Sequence, residues 1–150
     1  MIAPDSSANW PRPTDGWPSW VASTPYVGAA HPQQRPQQPI ANGANCQRYA
    51  YAILGLFGRT VPDHRSSELW AEPAFEHPAE PQDLDLVLFN SDVSAWGAHV
   101  GVVLADGVLH LSTEVTIPAV WTWQRFAERP KYRTVVGFVR VPSPPSQAAS

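Results

Sequence analysis

The sequence has little of what a disulfide-stapled, membrane-spanning or nucleic-acid-binding protein requires. It contains a single cysteine, which excludes an internal disulfide and a cysteine-rich zinc site. Charged residues make up only 15% of the chain and the net charge is -3, so no nucleic-acid partner is expected. No stretch approaches the roughly 18 apolar residues of a membrane span, so no membrane partner is expected either.

The start of the chain also lacks the basic and apolar segments of a secretory signal peptide. As written, the protein is therefore expected to be cytoplasmic, with export by another route or a removed signal left open. What the chain does contain is proline, at 17 residues, and a hydrophobic fraction of 43%. We predict a Pro/Trp-rich N-terminal arm over residues 1–19, one globular domain over 20–141 and a disordered tail over 142–150.

The only cysteine is predicted to begin a helix that buries one face. Apolar residues recur at helical spacing, at Cys46, Tyr49, Ala50, Ile53, Leu54 and Phe57. Asn45 is a good candidate for the N-cap. A thiol in the first helical turn lies near the positive end of the helix dipole, which predicts a nucleophile with a depressed pKa. A small buried hydrophobic cysteine is the alternative that position alone does not exclude.

Strand-like patterns follow this helix. They cover residues 84–89, 99–104, 108–111 and 135–141, and the segment 118–131 is interpreted as an excursion between strands. The middle two strands are joined through Asp106 and Gly107, a strong hairpin pattern. A helix before antiparallel strands predicts an α+β domain in which the cysteine helix packs on one face of an antiparallel sheet.

Two histidines fall on one face of the predicted hairpin. With a two-residue loop at 106–107, His110 lies opposite Val103, four residues from His99. That separation is about 13 Å along the strand, and ideal pairing instead puts Glu114 opposite His99. An imidazole base and a polar group that orients it are the partners that a nucleophilic cysteine needs. Without a Cys-x-x-Cys or His-x-x-x-His spacing, neither a metal site nor another cofactor is expected.

Several short segments occur in an order typical of a known enzyme family. They are Pro-Tyr-Val-Gly at 25–28, Asn-Cys at 45–46, Asp-Leu-Val-Leu-Phe at 85–89 and His-Val-Gly-Val-Val-Leu at 99–104. Over roughly residues 17–141, the chain resembles the NlpC superfamily of papain-like cell-wall cysteine peptidases. The resemblance implies a papain-like NlpC-type fold and a cysteine peptidase or amidase.

The resemblance also assigns roles to individual residues. The implied catalytic residues are Cys46 as nucleophile, His99 as base and His110 as the residue that orients the base. The expected substrate-binding residues are Tyr26, Asn45 and Trp96. The implied partner is a peptide or muropeptide substrate, cleaved at an amide bond of a peptidoglycan stem or a related small peptide. If the His110 imidazole orients the base, its protonation should help to shut activity down below about pH 6.

The chain departs from the family pattern at two positions. Asn45 stands where the family has an acidic residue that helps to hold the substrate, and Leu84 stands where a glycine is usual before Asp85.

Two alternative functions are left open. One alternative is an acyl- or peptidyl-transferring enzyme of specialised metabolism that uses the same triad. The other is a catalytically silent module that binds glycan or peptide through tryptophans, namely Trp96, Trp121 and Trp123.

Overall fold

The computed structural model describes residues 16–143. Residues 1–15 of the predicted arm and residues 144–150 of the predicted tail lie outside this range. The helices are α1 (Trp20–Ser23), α2 (Cys46–Gly55), α3 (Ser66–Ala71) and α4 (Trp123–Ala127), with 3-10 turns over Ile40–Asn42 and Pro130–Tyr132. The strands are β1 (Leu86–Asn90), β2 (His99–Leu104), β3 (Gly107–His110), β4 (Ala119–Trp121) and β5 (Thr134–Val139).

The five strands form one antiparallel sheet in the order β4-β3-β2-β1-β5. This confirms the α+β prediction, and α2 starts at Cys46 and packs against β2 and β3 as expected. Strand β4 was missed because it is a three-residue strand inside the segment interpreted as an excursion. Within the described residues, no helix is long and apolar enough to cross a membrane.

Both faces of the sheet are buried, which explains why β1 reads as a continuous apolar run. On one face the strands pack against α2 through residues that include Tyr49, Ile53, Leu54, Leu88, Val100 and Val102. On the other face the core contains Val87, Phe89, Val103, Trp121, Phe126 and Tyr132. The one aromatic contact made by the described end of the arm joins Trp17 to Phe57, whose ring centroids are 5.4 Å apart.

The β2–β3 hairpin turns one residue earlier than predicted. Leu104 pairs with Gly107, so the turn consists of residues 105–106, and the predicted loop at 106–107 is wrong. Gly107 has a φ of 154°, and a Cβ there would lie 2.4 Å from the carbonyl oxygen of Trp121 on β4. Glycine is therefore needed inside the strand, where β4 approaches closely. Extended by one pair, this register places His110 opposite Gly101, and the predicted pairing of His110 with Val103 is wrong.

A buried ion pair fixes the chain at the start of β1. Asp85 is fully buried, and its two carboxylate oxygens accept hydrogen bonds from Arg140 Nε at 2.9 Å and Arg140 Nη2 at 2.7 Å. The pair joins the start of β1 to the chain just after β5. The preceding residue, Leu84, has a φ of 73°, a conformation that glycine adopts without strain.

Candidate active site

A cavity of about 290 Å³ lies at the end of the sheet where β1 and β3 end and β2 begins. Tyr26, Asn45, Cys46 and His99 all line it, so four of the six residues proposed from the sequence meet in one place. The N-terminus of α2 reaches the cavity from one face of the sheet. The 3-10 turn over Pro130–Tyr132 reaches it from the other face.

The cysteine occupies the first position of α2. Asn45 caps the helix, since its Oδ1 accepts a hydrogen bond from the backbone N–H of Arg48 at 2.9 Å. The first backbone N–H groups of a helix have no intrahelical partner. The amides at the start of α2 can therefore stabilise a negative charge that develops beside Cys46, a residue of intermediate exposure.

Burial raises the pKa of the Cys46 thiol above its usual value. The backbone amides of Val100 and Gln47 and the charge of Arg65 act in the opposite direction, but desolvation outweighs them. The predicted depression of the thiol pKa is therefore wrong. The backbone amides at the helix start do lower the thiol pKa, as expected. The sequence could not show that the surrounding chain excludes enough water to raise this pKa by more.

The two histidines contact each other directly. His99 Nε2 lies 2.9 Å from His110 Nδ1. Because His110 lies opposite Gly101, it is a diagonal cross-strand neighbour of His99. Diagonal neighbours lie about 7–8 Å apart, whereas the predicted register implied a separation of about 13 Å along the strand. A Cβ on Gly101 would lie 3.6 Å from the His110 Cβ. Glu114, the competing candidate, has its carboxylate 3.5 Å from Arg129 Nε.

Aromatic side chains pack around both imidazoles. The His99 ring stacks on Tyr132 with centroids 4.7 Å apart. The His110 ring contacts Trp121 at 4.5 Å and Phe126 at 4.7 Å, both in edge-on geometry. His110 is 1% exposed, and its Nε2 has no hydrogen-bond partner among the described residues. These contacts fix the ring planes and keep water away from the pair.

The same burial keeps both imidazoles neutral. It lowers the pKa of His99 to about 3, with the charge of Lys131 adding to the effect. Burial also lowers the pKa of His110 well below its usual value, followed in importance by the charges of His99 and Arg125. Protonation of His110 near pH 6, expected from an unperturbed histidine, is therefore wrong, and any acid loss from this pair moves to lower pH.

Comparison with known proteins adds no identification. No family model matches this chain, and no significant match was found among curated proteins. Across residues 16–143, no group of three or more histidine, cysteine or carboxylate side chains is arranged to hold a metal ion.

The tryptophans do not meet at the cavity. Trp96 is 78% exposed and is not among the lining residues, although Gly97 beside it is. Trp121 is 1% exposed, so it cannot present its ring to a glycan, and that part of the binding-module alternative is wrong. Trp121 is buried because β3 and the rings of His110 and Phe126 enclose it. The polar residues that follow Trp121 in the sequence do not indicate this burial.

Sequence reasoning missed several lining residues, chiefly Gln47, Arg65, Ser112, Lys131 and Tyr132. Arg65 Nε donates to Gln47 Oε1 at 3.0 Å, and Asn45 Nδ2 donates to the same oxygen at 3.3 Å. Tyr132 stacks on His99, and burial raises the pKa of the Tyr132 hydroxyl to about 12. Gln47 directly follows Cys46, whereas Arg65, Lys131 and Tyr132 belong to no recognisable motif and are brought to the cavity by tertiary packing.

Proposed function

We propose that the protein is a papain-like cysteine hydrolase of the NlpC type that cleaves an amide bond. The observation that carries the proposal is the 2.9 Å contact between His99 Nε2 and His110 Nδ1, in a site where His99 and Cys46 line one cavity. A thiol, an imidazole and a second polar group that orients the imidazole are the parts of a nucleophilic triad. The order of the sequence segments supports the same proposal.

The reaction begins when the Cys46 sulfur attacks the amide carbonyl carbon as its proton passes to His99. Backbone N–H groups at the start of α2 stabilise the oxyanion. Tyr26 adds a hydroxyl that stays protonated, because burial and the nearby Cys46 raise its pKa. His99 then gives its proton to the leaving amine as the carbon–nitrogen bond breaks. Water, deprotonated by His99, hydrolyses the thioester and releases the acid.

The proposed role of His110 is to fix the tautomer of His99. To accept the thiol proton at Nδ1, His99 must carry its own proton on Nε2 and donate it to His110 Nδ1. A neutral His110 can accept that bond, and its lowered pKa keeps it neutral across the physiological range. His110 is therefore a positioning residue in this proposal.

The thiol and the base are both uncharged at rest in this proposal. The pKa of Cys46 is raised and that of His99 is lowered, both first of all by burial. Proton transfer then accompanies attack on the substrate instead of preceding it. The proposed substrate is a peptide of the peptidoglycan-stem kind or a related small peptide.

A panel of such peptides, incubated with the purified protein and followed by mass spectrometry, tests the proposal. We expect cleavage by the wild type, a thioester adduct on Cys46, and loss of both in Cys46→Ala. His99→Ala should also be inactive, while the control His77→Ala should be active, because His77 stacks on Trp70 away from the cavity. Cleavage that survives in Cys46→Ala would contradict the proposal, and added amines that trap the acyl group would indicate transfer instead of hydrolysis.

A further inference from the structure

We infer that Tyr132 is a positioning residue for His99, the proposed base. Its ring fixes the plane of the imidazole, and its hydroxyl, held by Ser112, fixes the ring. The inference rests on the proposed function, in which His99 takes a proton from Cys46 at Nδ1. It adds to the two histidines a residue from a segment that no sequence pattern connects with them.

One hydrogen bond does not orient the imidazole completely. The Nε2 atom of a histidine lies close to the axis about which the ring turns, so the 2.9 Å bond from His99 to His110 restrains that rotation only weakly. The torsion of this bond is also intrinsically broad in histidine. Rotation displaces Nδ1, the atom that must meet the thiol. Reaction at Nδ1 therefore requires a second contact that fixes the plane of the ring.

The ring of Tyr132 supplies that contact. Its centroid lies 4.7 Å from the His99 centroid, and the two planes are inclined by 29°. The next rings around the same imidazole are those of His110, Phe126 and Phe89, at 5.0, 6.3 and 6.4 Å. A stacked pair at this distance is favourable beyond the apolar area that it buries. Stacking resists rotation of the imidazole, because rotation would drive its edge into the tyrosine ring.

The hydroxyl of the tyrosine is held by a buried serine. Ser112 is 3% exposed, and its Oγ accepts a hydrogen bond from the backbone N–H of Glu114 at 3.3 Å. The serine hydroxyl hydrogen is therefore available for the oxygen of Tyr132, to which Ser112 is hydrogen-bonded. Ser112 follows His110 by two residues. The contacts thus form a closed circuit that leaves the chain at one histidine, passes through the other and the tyrosine ring, and returns two residues later.

The backbone on both sides of the tyrosine is also fixed. Pro130 begins the 3-10 turn, where its locked φ suits the first position. The backbone N–H of Tyr132 donates to the carbonyl oxygen of Arg129 at 2.9 Å. Two residues later β5 begins, and Thr134 pairs with Asn90 of β1. A buried ring on a segment tied to the sheet can hold the plane of a neighbouring imidazole.

Two substitutions at position 132 separate the ring from the hydroxyl. Tyr132→Phe keeps the stacked ring and removes the hydroxyl, whereas Tyr132→Leu removes both. The matched control is Phe138→Leu, at a residue that packs against the same core but does not line the cavity. The one ring contact of Phe138 within residues 16–143 is with Trp123. Thermal unfolding gives the stability that each variant loses.

The first readout needs no substrate. In the resting protein, the hydrogen on His99 Nε2 gives a proton NMR signal whose exchange with water reports how firmly the imidazole is held. We expect Tyr132→Leu to speed this exchange by about tenfold, the upper range for loss of one aromatic pair. Tyr132→Phe and Phe138→Leu should leave it within about twofold on the same scale. His99→Gln identifies the signal among those of the five histidines.

The second readout is turnover of a peptide that the wild type cleaves. Tyr132→Leu should lower kcat by about 100-fold with little change in KM, because a misplaced base slows the reaction of bound substrate. Tyr132→Phe and Ser112→Ala should each lower kcat by about fivefold, since both remove the same hydrogen bond. Because the loss is shared, the double variant should fall no further than either single one. Phe138→Leu should retain the wild-type kcat.

The outcomes separate this inference from the proposed function. Unchanged exchange and unchanged kcat in a folded Tyr132→Leu overturn the inference while amide hydrolysis stands. An equal loss of kcat in Phe138→Leu overturns it too, because lost stability alone would then explain the effect. If Tyr132→Leu does not fold, additive losses in Tyr132→Phe and Ser112→Ala overturn it, and a shared loss supports it. Faster exchange in Tyr132→Leu with no amide cleaved by the wild type refutes the hydrolase proposal and leaves the positioning of His99 standing.

Discussion

Replacement of His110 offers a sharp test of the triad geometry. In His110→Asn the side-chain Oδ1 occupies the position of the imidazole Nδ1, so an acceptor for His99 is kept. In His110→Leu a similar apolar volume fills the site but no acceptor remains. The pair of variants thus separates the 2.9 Å hydrogen bond from the packing of the ring against Trp121 and Phe126.

The expected magnitude follows from the burial of the base. His99 is 8% exposed, so its Nε2–H has little access to water once His110 is gone. A buried donor without a partner costs about 1–3 kcal/mol. At about 1.4 kcal/mol per tenfold in rate, His110→Leu should lower kcat/KM by roughly 5- to 150-fold. His110→Asn should stay within about tenfold of the wild type on the same scale.

The losses in both variants are measured by steady-state kinetics on a cleaved peptide between pH 4.5 and 9. Thermal unfolding checks that each variant is folded. With the pKa of His99 lowered to about 3, the wild type should lose little activity between pH 7 and about 5.5. An acid limb near pH 6.5 that disappears in His110→Asn would mean that His110 titrates normally, contrary to its burial. Glu114→Ala should be nearly neutral, because that carboxylate lies beside Arg129. Full activity in a folded His110→Leu would refute the positioning role.

Three further predictions concern the thiol, the ion pair and the hairpin. Cys46 should react with iodoacetamide at pH 7 more slowly than a free thiol of pKa near 8.5, with a rate still rising above pH 9, because burial raises its pKa; faster reaction would contradict this. Asp85→Asn should lower the free energy of unfolding in urea by about 2 kcal/mol, less than for a fully buried pair because the Arg140 side chain is 26% exposed. Gly101→Ala should cost about 1–3 kcal/mol, since its Cβ would lie 2.4 Å from a valine methyl, whereas Gly55→Ala, with open space around it, should cost nothing.

Features that depend on local sequence were predictable. The start of α2 at Cys46 followed from apolar spacing and from Asn45, whose side chain does cap the helix. The bounds of β2 followed from its apolar run. The hairpin turn was misplaced by one residue because Asp-Gly normally occupies the two loop positions. Here the glycine is needed in the strand itself, where β4 passes.

Features that depend on distant packing were not predictable. Arg65, Lys131 and Tyr132 reach the cavity from segments with no periodicity, and only the folded chain brings them to the cysteine. The prediction of the thiol pKa was wrong for a related reason. A helix terminus is visible in the sequence, but the desolvation that outweighs it comes from residues far along the chain.

The position of β5 in the sheet bears on how the chain folds as it is synthesised. Asp85 at the start of β1 meets its ion-pair partner Arg140 only across 55 residues of chain. Such distant pairing forms slowly, because a long loop must close before its contacts are made. Before β5 emerges, β1 is an open sheet edge and the Asp85 carboxylate has no guanidinium beside it. A nascent chain therefore carries Cys46 long before the edge of β1 is paired, and β5, the last of the described strands, completes the sheet.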